Sequence, residues 1–268
     1  MMMQREKDDV RAKKRLGQHF LTDQWIAQQI VAALSPQNER VLEVGPGMGV
    51  LTRYLLENNA WELHAVELDR ESVAYLQQHF PELSPRLYAA DFLKVDLEGL
   101  LPAPFAIIGN FPYNISSQIL FRVLDYRERI PEVIGMFQKE VALRIASKPG
   151  NRDYGILSVL LQAFYDIEYL FTVDEHLFNP PPKVKSAVIR LRRNGCQQLP
   201  CDEAQWKRMI KTAFNQRRKT LRNSLKNIAF EEGFTGHELF GKRPEQLSVE
   251  DFVFLTQHLL PENGSQPL

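Results

Sequence analysis

Short apolar runs recur between Arg40 and Arg193, and each ends at a polar, acidic or glycine position. RVLEV (40–44), ELHAVEL (62–68), RLYAAD (86–91), PFAIIGN (104–110) and EVIGMFQ (132–138) have the length and composition of buried strands. Amphipathic stretches separate them. GVLTRYLLENN (49–59), DRESVAYLQQHF (69–80), SSQILFRVLDY (116–126), KEVALRIAS (139–147) and ILSVLLQAFY (156–165) carry helical spacing, and Asp69 is a ready N-cap. IEYLFTV (167–173) and SAVIRLRR (186–193) predict two last strands with no clear helix between them, which suggests an antiparallel edge pair. Strands that alternate with helices predict an α/β fold, a mostly parallel sheet covered on both faces. From Asn194 onward the pattern is helical only, so the expected domains are 1–193 and 194–268. Neither an internal repeat nor a low-complexity tract interrupts this order.

Composition adds bounds. A chain of 268 residues with 44% hydrophobic and 25% charged positions is ordinary for a globular protein with one large and one small domain. No apolar stretch approaches the roughly 20 residues that span a bilayer. MMMQREKDDVRAKKRL lacks an apolar core for a secretory signal, and Glu6, Asp8 and Asp9 are wrong for a transit peptide, so the expected compartment is the cytoplasm. Cys196 and Cys201 have no histidine near them and read as free thiols; no metal site is expected.

The net charge is zero, yet the charges are segregated. Lys207, Arg208, Lys211, Arg217, Arg218, Lys219, Arg222 and Lys226 follow one another with no acid between Trp206 and Phe230. RAKKR (11–15) and KVKSAVIRLRR (183–193), with Lys183 and Lys185, repeat the theme. One such cluster is ordinarily a solvated face; three without compensating acids favour a polyanion surface.

Candidate chemistry sits at the strand ends. EVGPGMG (43–49) is a strand-to-helix turn of the kind where open α/β sheets bind ligands. A glycine loop alone is weak evidence, because nicotinamide enzymes share it. Here Pro46 removes an N–H from any phosphate cradle, and Glu43 brings negative charge. Both disfavour a pyrophosphate and favour a nucleoside-like, cationic ligand, which S-adenosylmethionine is. Gly45 and Gly47 would let it approach the backbone. Glu67, with Leu68 after it, stands where an acid accepts from ribose hydroxyls. Asp91 could accept from an adenine amine with Phe92 against the ring, although an acid there also suits a loop or cap.

GNFPYNIS (109–116) then follows the fourth strand. An exocyclic adenine amine is a poor nucleophile, because its lone pair is delocalised into the ring. Asn110 and a backbone carbonyl at Pro112 could accept both amine hydrogens and free that lone pair for a sulfonium methyl, while Tyr113 stacks on the flipped base. Positioning carries such a step without a general base in the transition state. A proline turn with core aromatics is the plainer reading of the same residues.

LGQHFL (16–21), VLEVGPGMGVLT (41–52), VELDR (66–70), GNFPYNIS, FQKEVALRI (137–145), FNPPPKVKSAVIRL (178–191) and NQRRKTLRNSL (215–225) together resemble the KsgA/RsmA-type ribosomal RNA adenine dimethyltransferases, in order and from about Lys13 to the C-terminal helices. The resemblance implies a Rossmann-like methyltransferase fold, a seven-stranded sheet with an antiparallel edge strand, and a small helical RNA-binding domain. It implies that residues 1–24 contribute to the S-adenosylmethionine pocket through His19 and Leu21, with Gly45, Gly47, Glu67, Leu68, Asp91, Phe92 and Asn110. Asn110, Pro112, Tyr113 and Phe178 would hold the target adenine, with Phe178 as the other wall. His19 stands where many members have Asn, and Phe111 where many have Leu or Ile. Lys183, Lys185, Arg217, Arg218, Lys219 and Arg222 would meet RNA. The implied reaction dimethylates N6 of two adjacent adenosines in the 3′-terminal hairpin of 16S ribosomal RNA, in an assembling small subunit, by a monomeric enzyme. The alternatives are a large-subunit methylase of the antibiotic-resistance type and a mainly non-catalytic assembly factor.

Overall fold

The computed structural model describes residues 10–260. Glu6, Asp8 and Asp9, which carried the reading of the N-terminus, lie outside the described residues, as do residues 261–268. The strands are β1 (Phe20–Leu21), β2 (Arg40–Val44), β3 (Glu62–Glu67), β4 (Leu87–Ala89), β5 (Ala106–Asn110), β6 (Glu132–Gln138), β7 (Tyr165–Val173), β8 (Phe178–Asn179) and β9 (Ser186–Arg193). The helices are α1 (Gln24–Ala32), α2 (Thr52–Glu57), α3 (Arg70–His79), α4 (Leu97–Leu100), α5 (Ser116–Asp125), α6 (Lys139–Ala146), α7 (Ile156–Gln162), α8 (Glu203–Asn215), α9 (Leu221–Ser224) and α10 (Val249–Gln257). Asp69 caps α3 by accepting from Glu71 N. The helix expected over 156–165 ends at Gln162, because the chain has joined β7 by Tyr165.

Seven strands form one sheet in the order β4-β3-β2-β5-β6-β9-β7. β2 pairs in parallel with β3 and with β5, β3 with β4, and β5 with β6. β9 runs antiparallel to β6, with Val133 opposite Leu191. The central strands are covered on both faces, so their side chains read as continuous apolar runs; Val41, Leu42, Ile107, Ile108, Val133 and Ile134 are fully buried. Chain order reverses between β2 and β5. A crevice opens beyond the carboxyl ends of the strands at such a switch point, and ligands bind there. The glycine loop, Glu67, Asp91 and Asn110 all sit at or just past those ends.

A separate two-stranded ribbon pairs β1 with β8, Phe20 opposite Asn179 and Leu21 opposite Phe178. The chain divides into two compact units, one holding the segment up to Ala142 with Asp166–Arg193, the other Leu143–Tyr165 with the segment from Asn194 onward. A cut at residue 193 alone therefore omits Leu143–Tyr165 from the second unit. The physical reason is apolar packing. Leu157, Val159, Leu160 and Leu161 of α7 are buried, Phe164 meets Trp206 of α8 edge-on at 6.4 Å, and Tyr154 packs near Phe214. Among the described residues no helix is long and apolar enough to cross a membrane.

Candidate active site

A cavity of about 200 Å³ lies beyond the carboxyl ends of β2, β3 and β5. It brings together His19, Leu21, Gly45, Gly47, Glu67, Leu68, Asp91, Phe92, Asn110, Pro112 and Tyr113. Phe178 is set apart. It is 4% exposed, belongs to the hydrophobic core, and reaches the site only as the strand partner of Leu21.

The glycine loop takes its shape from left-handed backbone. Gly45 has φ of 69°, and a Cβ added there would meet nothing within 4 Å, so its open side is cavity. Gly47 has φ of 58°, and a Cβ there would come 2.8 Å from the Phe20 ring. Only glycine satisfies both demands at little cost. The Gly47 N–H donates to Glu67 Oε2 at 3.0 Å, and Asp69 N–H donates to Glu67 Oε1 at 2.8 Å. Glu67 is thus oriented by two backbone donors at the end of β3. Burial pushes its carboxyl above the usual carboxylate range, against those two bonds.

Glu43 differs from its expected role. It is 1% exposed and accepts a 2.6 Å hydrogen bond from Thr52 Oγ1. Burial pushes its carboxyl up to about 8 despite that bond, so at neutral pH it is mostly protonated rather than the fixed negative charge expected from the sequence. Asp91 Oδ1 accepts from Leu93 N at 2.9 Å and turns the chain so that Phe92, 4% exposed, lines the cavity. Leu68 is left 53% exposed at the cavity wall.

Asn110 closes β5 and donates from Nδ2 to the backbone oxygen of His19 at 2.9 Å. The Pro112 carbonyl accepts from Ile115 N at 3.2 Å and Ser116 Oγ at 3.1 Å, so it is already engaged. Tyr113 pairs its hydroxyl with Ser186 Oγ at 2.5 Å, and its ring stacks on His19 with centroids 5.4 Å apart. Burial raises the Tyr113 phenol, and the Ser186 bond offsets part of that. His19 Nδ1 lies 2.7 Å from Pro180 O. A carbonyl only accepts, so Nδ1 carries the proton and Nε2 is the acceptor in the neutral ring. Phe111, 1% exposed, packs on Phe137 at 5.1 Å and is a core residue.

The N-terminal segment is held to this site by contacts the sequence did not disclose. Lys13 Nζ pairs with Asp69 Oδ1 and, at 3.0 Å, with Glu71 Oε1, while Gln18 Nε2 donates to Asp69 Oδ2 at 3.3 Å. Asp69 is buried, which raises its carboxyl, but the Lys13 and Gln18 bonds outweigh that and hold it below the usual range. Asn114 and Ile115 also line the cavity. The one available signal was the place of Gln18 within LGQHFL and of Lys13 just before it.

The basic residues lie elsewhere. Arg218, Lys219, Arg222 and Lys226 are exposed and Arg217 is half-buried. Lys207 pairs with Glu203 at 2.8 Å, and Lys185 with Asp174. Lys183 is exposed on the segment between β8 and β9.

The site's donor set suits a nucleoside without phosphates. A half-open apolar wall (Leu68, Phe92), two strand-end carboxyls (Glu67, Asp91) and a bare glycine face (Gly45) fit S-adenosylmethionine. The profile described as ribosomal RNA adenine dimethylase matches residues 10–252. The chain is 60% identical over 254 residues to a protein of Cytophaga hutchinsonii named ribosomal RNA small subunit methyltransferase A, covering 94% of this chain and 98% of that one. It is 59% identical over 261 residues to the protein of that name from Parabacteroides distasonis, covering 95% and 98%. Among solved structures, a dimethyladenosine transferase from Plasmodium falciparum superposes with a TM-score of 0.74 at 25% identity, over 88% of this chain and 96% of that one. The 23S rRNA methyltransferase ErmE superposes with a TM-score of 0.64 at 28% identity, over 89% and 100%.

Proposed function

The chain belongs to the ribosomal RNA adenine dimethylase family, and we propose that it transfers methyl groups from S-adenosylmethionine to N6 of two adjacent adenosines near the 3′ end of small-subunit ribosomal RNA. The enzyme class follows from the family; relatives named for the small subunit support the target. The observation that carries the site assignment is the Asn110 amide. Its Nδ2 is committed to His19 O, which leaves Oδ1 as the group able to accept from a base amine beside the donor pocket.

When bound, the donor supplies an electrophilic sulfonium methyl group. Glu67 would hold its ribose, and Asp91, Phe92 and Leu68 its adenine. Gly45 and Gly47 would let it lie against the backbone, and His19 and Leu21 would close the methionine end. Asn110 Oδ1 would accept from the target N6, drawing its lone pair out of conjugation with the ring. The Pro112 carbonyl already accepts two bonds, so Asn110 carries the larger part of that recognition. Tyr113, held by Ser186, would stack on the flipped base, and Phe178 would support the wall from behind Leu21. Lys183, Lys185, Arg217, Arg218, Lys219 and Arg222 would contact RNA phosphates. The enzyme would act as a monomer in the cytoplasm, where small subunits assemble.

Mass spectrometry of ribosomal RNA from cells lacking the gene tests this, with loss of dimethyladenosine from small-subunit RNA expected. ErmE supports a second reading, methylation of large-subunit RNA. Parallel assays on purified immature small subunits and on large-subunit RNA separate the two. Activity on the large-subunit RNA alone would overturn the proposal. Unmethylated RNA together with a subunit-assembly defect that an inactive variant repairs would favour an assembly role instead.

A further inference from the structure

We propose that Arg122 is a positioning residue that sets the adenine end of the donor pocket, an inference that rests on the donor site proposed above. Arg122 lies on α5, the helix that begins at Ser116 directly after the Asn110–Ile115 stretch. Its side chain reaches back across the loop that follows Asp91. Nη1 donates to Leu93 O at 3.0 Å, and Nη2 donates to Val95 O. The guanidinium carbon stands 5.8 Å from the centroid of the Phe92 ring and 5.1 Å from that of Tyr126.

The loop has a matching design on its other side. Asp91 Oδ1 accepts from Leu93 N at 2.9 Å, and Asp91 O accepts from Lys94 N and Val95 N, each at 2.9 Å. The loop's N–H groups are therefore gathered by Asp91, and two of its carbonyls by Arg122. Phe92 is held between these two sets of bonds with one side toward the cavity. Its ring position follows from where the guanidinium holds the backbone at Leu93 and Val95. A planar, forked guanidinium holds two carbonyls in a fixed geometry beside a ring, an arrangement that the point charge of a flexible ammonium does not reproduce. Among the described residues the cation is directed at backbone oxygens and rings.

The experiment is calorimetry on the full chain with two ligands, S-adenosylhomocysteine and 5′-methylthioadenosine, the second lacking the amino-acid end. For Arg122→Met we expect both to bind more weakly by on the order of tenfold, the scale of one lost hydrogen bond to a charged group. Arg122→Lys should not restore affinity. Turnover on small subunits at saturating donor should be largely kept, since the loss lies in binding. A melting curve for each variant and a double-mutant cycle with Phe92→Leu guard against a general loss of stability. Arg122 acts through Phe92 if the two effects on 5′-methylthioadenosine affinity are non-additive. Parent affinity for 5′-methylthioadenosine in Arg122→Met, or additive effects in the cycle, overturns the proposal. A parent protein that binds neither ligand overturns the donor-pocket reading itself, and this inference with it.

Discussion

The side-chain Nδ2 of Asn110 donates a 2.9 Å hydrogen bond to the backbone oxygen of His19, a residue 91 positions earlier in the chain. That bond settles which end of the amide faces the N-terminal segment and which end is left for the cavity. His19 is itself anchored at Pro180 O, 161 positions away, and stacked on Tyr113. Three segments distant in sequence thus meet at this wall of the cavity.

Asn110→Ala tests the role of that amide. Donor affinity should change little, while the methylation rate at saturating donor should fall by roughly a hundredfold, the scale for removing one preorganised polar group. Single-turnover rates on immature small subunits, beside calorimetry with donor, make the measurement. A variant that methylates at the parent rate sinks the assignment.

Glu67 accepts from Gly47 N and Asp69 N, and a ribose would add to these bonds. Glu67→Ala should weaken S-adenosylmethionine by roughly 1.5–3 kcal/mol, the range for a hydrogen bond to a charged group. RNA affinity without donor should hardly move. Unchanged donor affinity by calorimetry excludes the ribose contact.

Glu43 predicts a pH dependence of stability. Burial holds its carboxyl up to about 8, and burial pushes Glu67 in the same direction. The folded state then keeps protons that an unfolded carboxyl releases near pH 4.3. The relative stabilisation is full below that value and is lost as pH rises toward about 8. Asp69 is depressed instead, so its contribution is lost only as pH falls through its own low range and leaves this window flat. The ligand-free protein should therefore lose stability between about pH 5 and pH 8, by at most about 1.4 kcal/mol per pH unit for each such group. Glu43→Gln should flatten that slope. Thermal unfolding across the range decides, and parallel slopes for parent and variant would refute a protonated Glu43.

The basic run from Lys207 to Lys226 occupies α8, the turn after it, α9 and the segment just past α9. If this face grips RNA, alanine at Arg217, Arg218 and Lys219 together should weaken subunit binding. The plot of log affinity against log salt should become shallower by about one to three units, up to roughly one per lost phosphate contact. Donor affinity should stay at the parent value. Binding and salt slope both unchanged would leave a solvated face and no RNA contact.

The alternation of short apolar runs with amphipathic stretches was enough to predict the α/β class, the main strands of the sheet and the strand ends at or just past which Gly45, Glu67, Asp91 and Asn110 stand. Those signals are local, since the two-residue period of a strand and the 3.6-residue period of a helix are written in near neighbours. The glycine loop was legible for the same reason, because positive φ within a few residues demands glycine. Contacts between distant segments leave no such trace. Lys13 on Asp69, His19 on Pro180 and Arg122 on the carbonyls of Leu93 and Val95 became visible only when the chain was folded. Burial belongs to the same class. The sequence shows a carboxyl at Glu43 and a ring at Phe178, but only tertiary packing removes water from both, leaving the first mostly protonated and the second in the core.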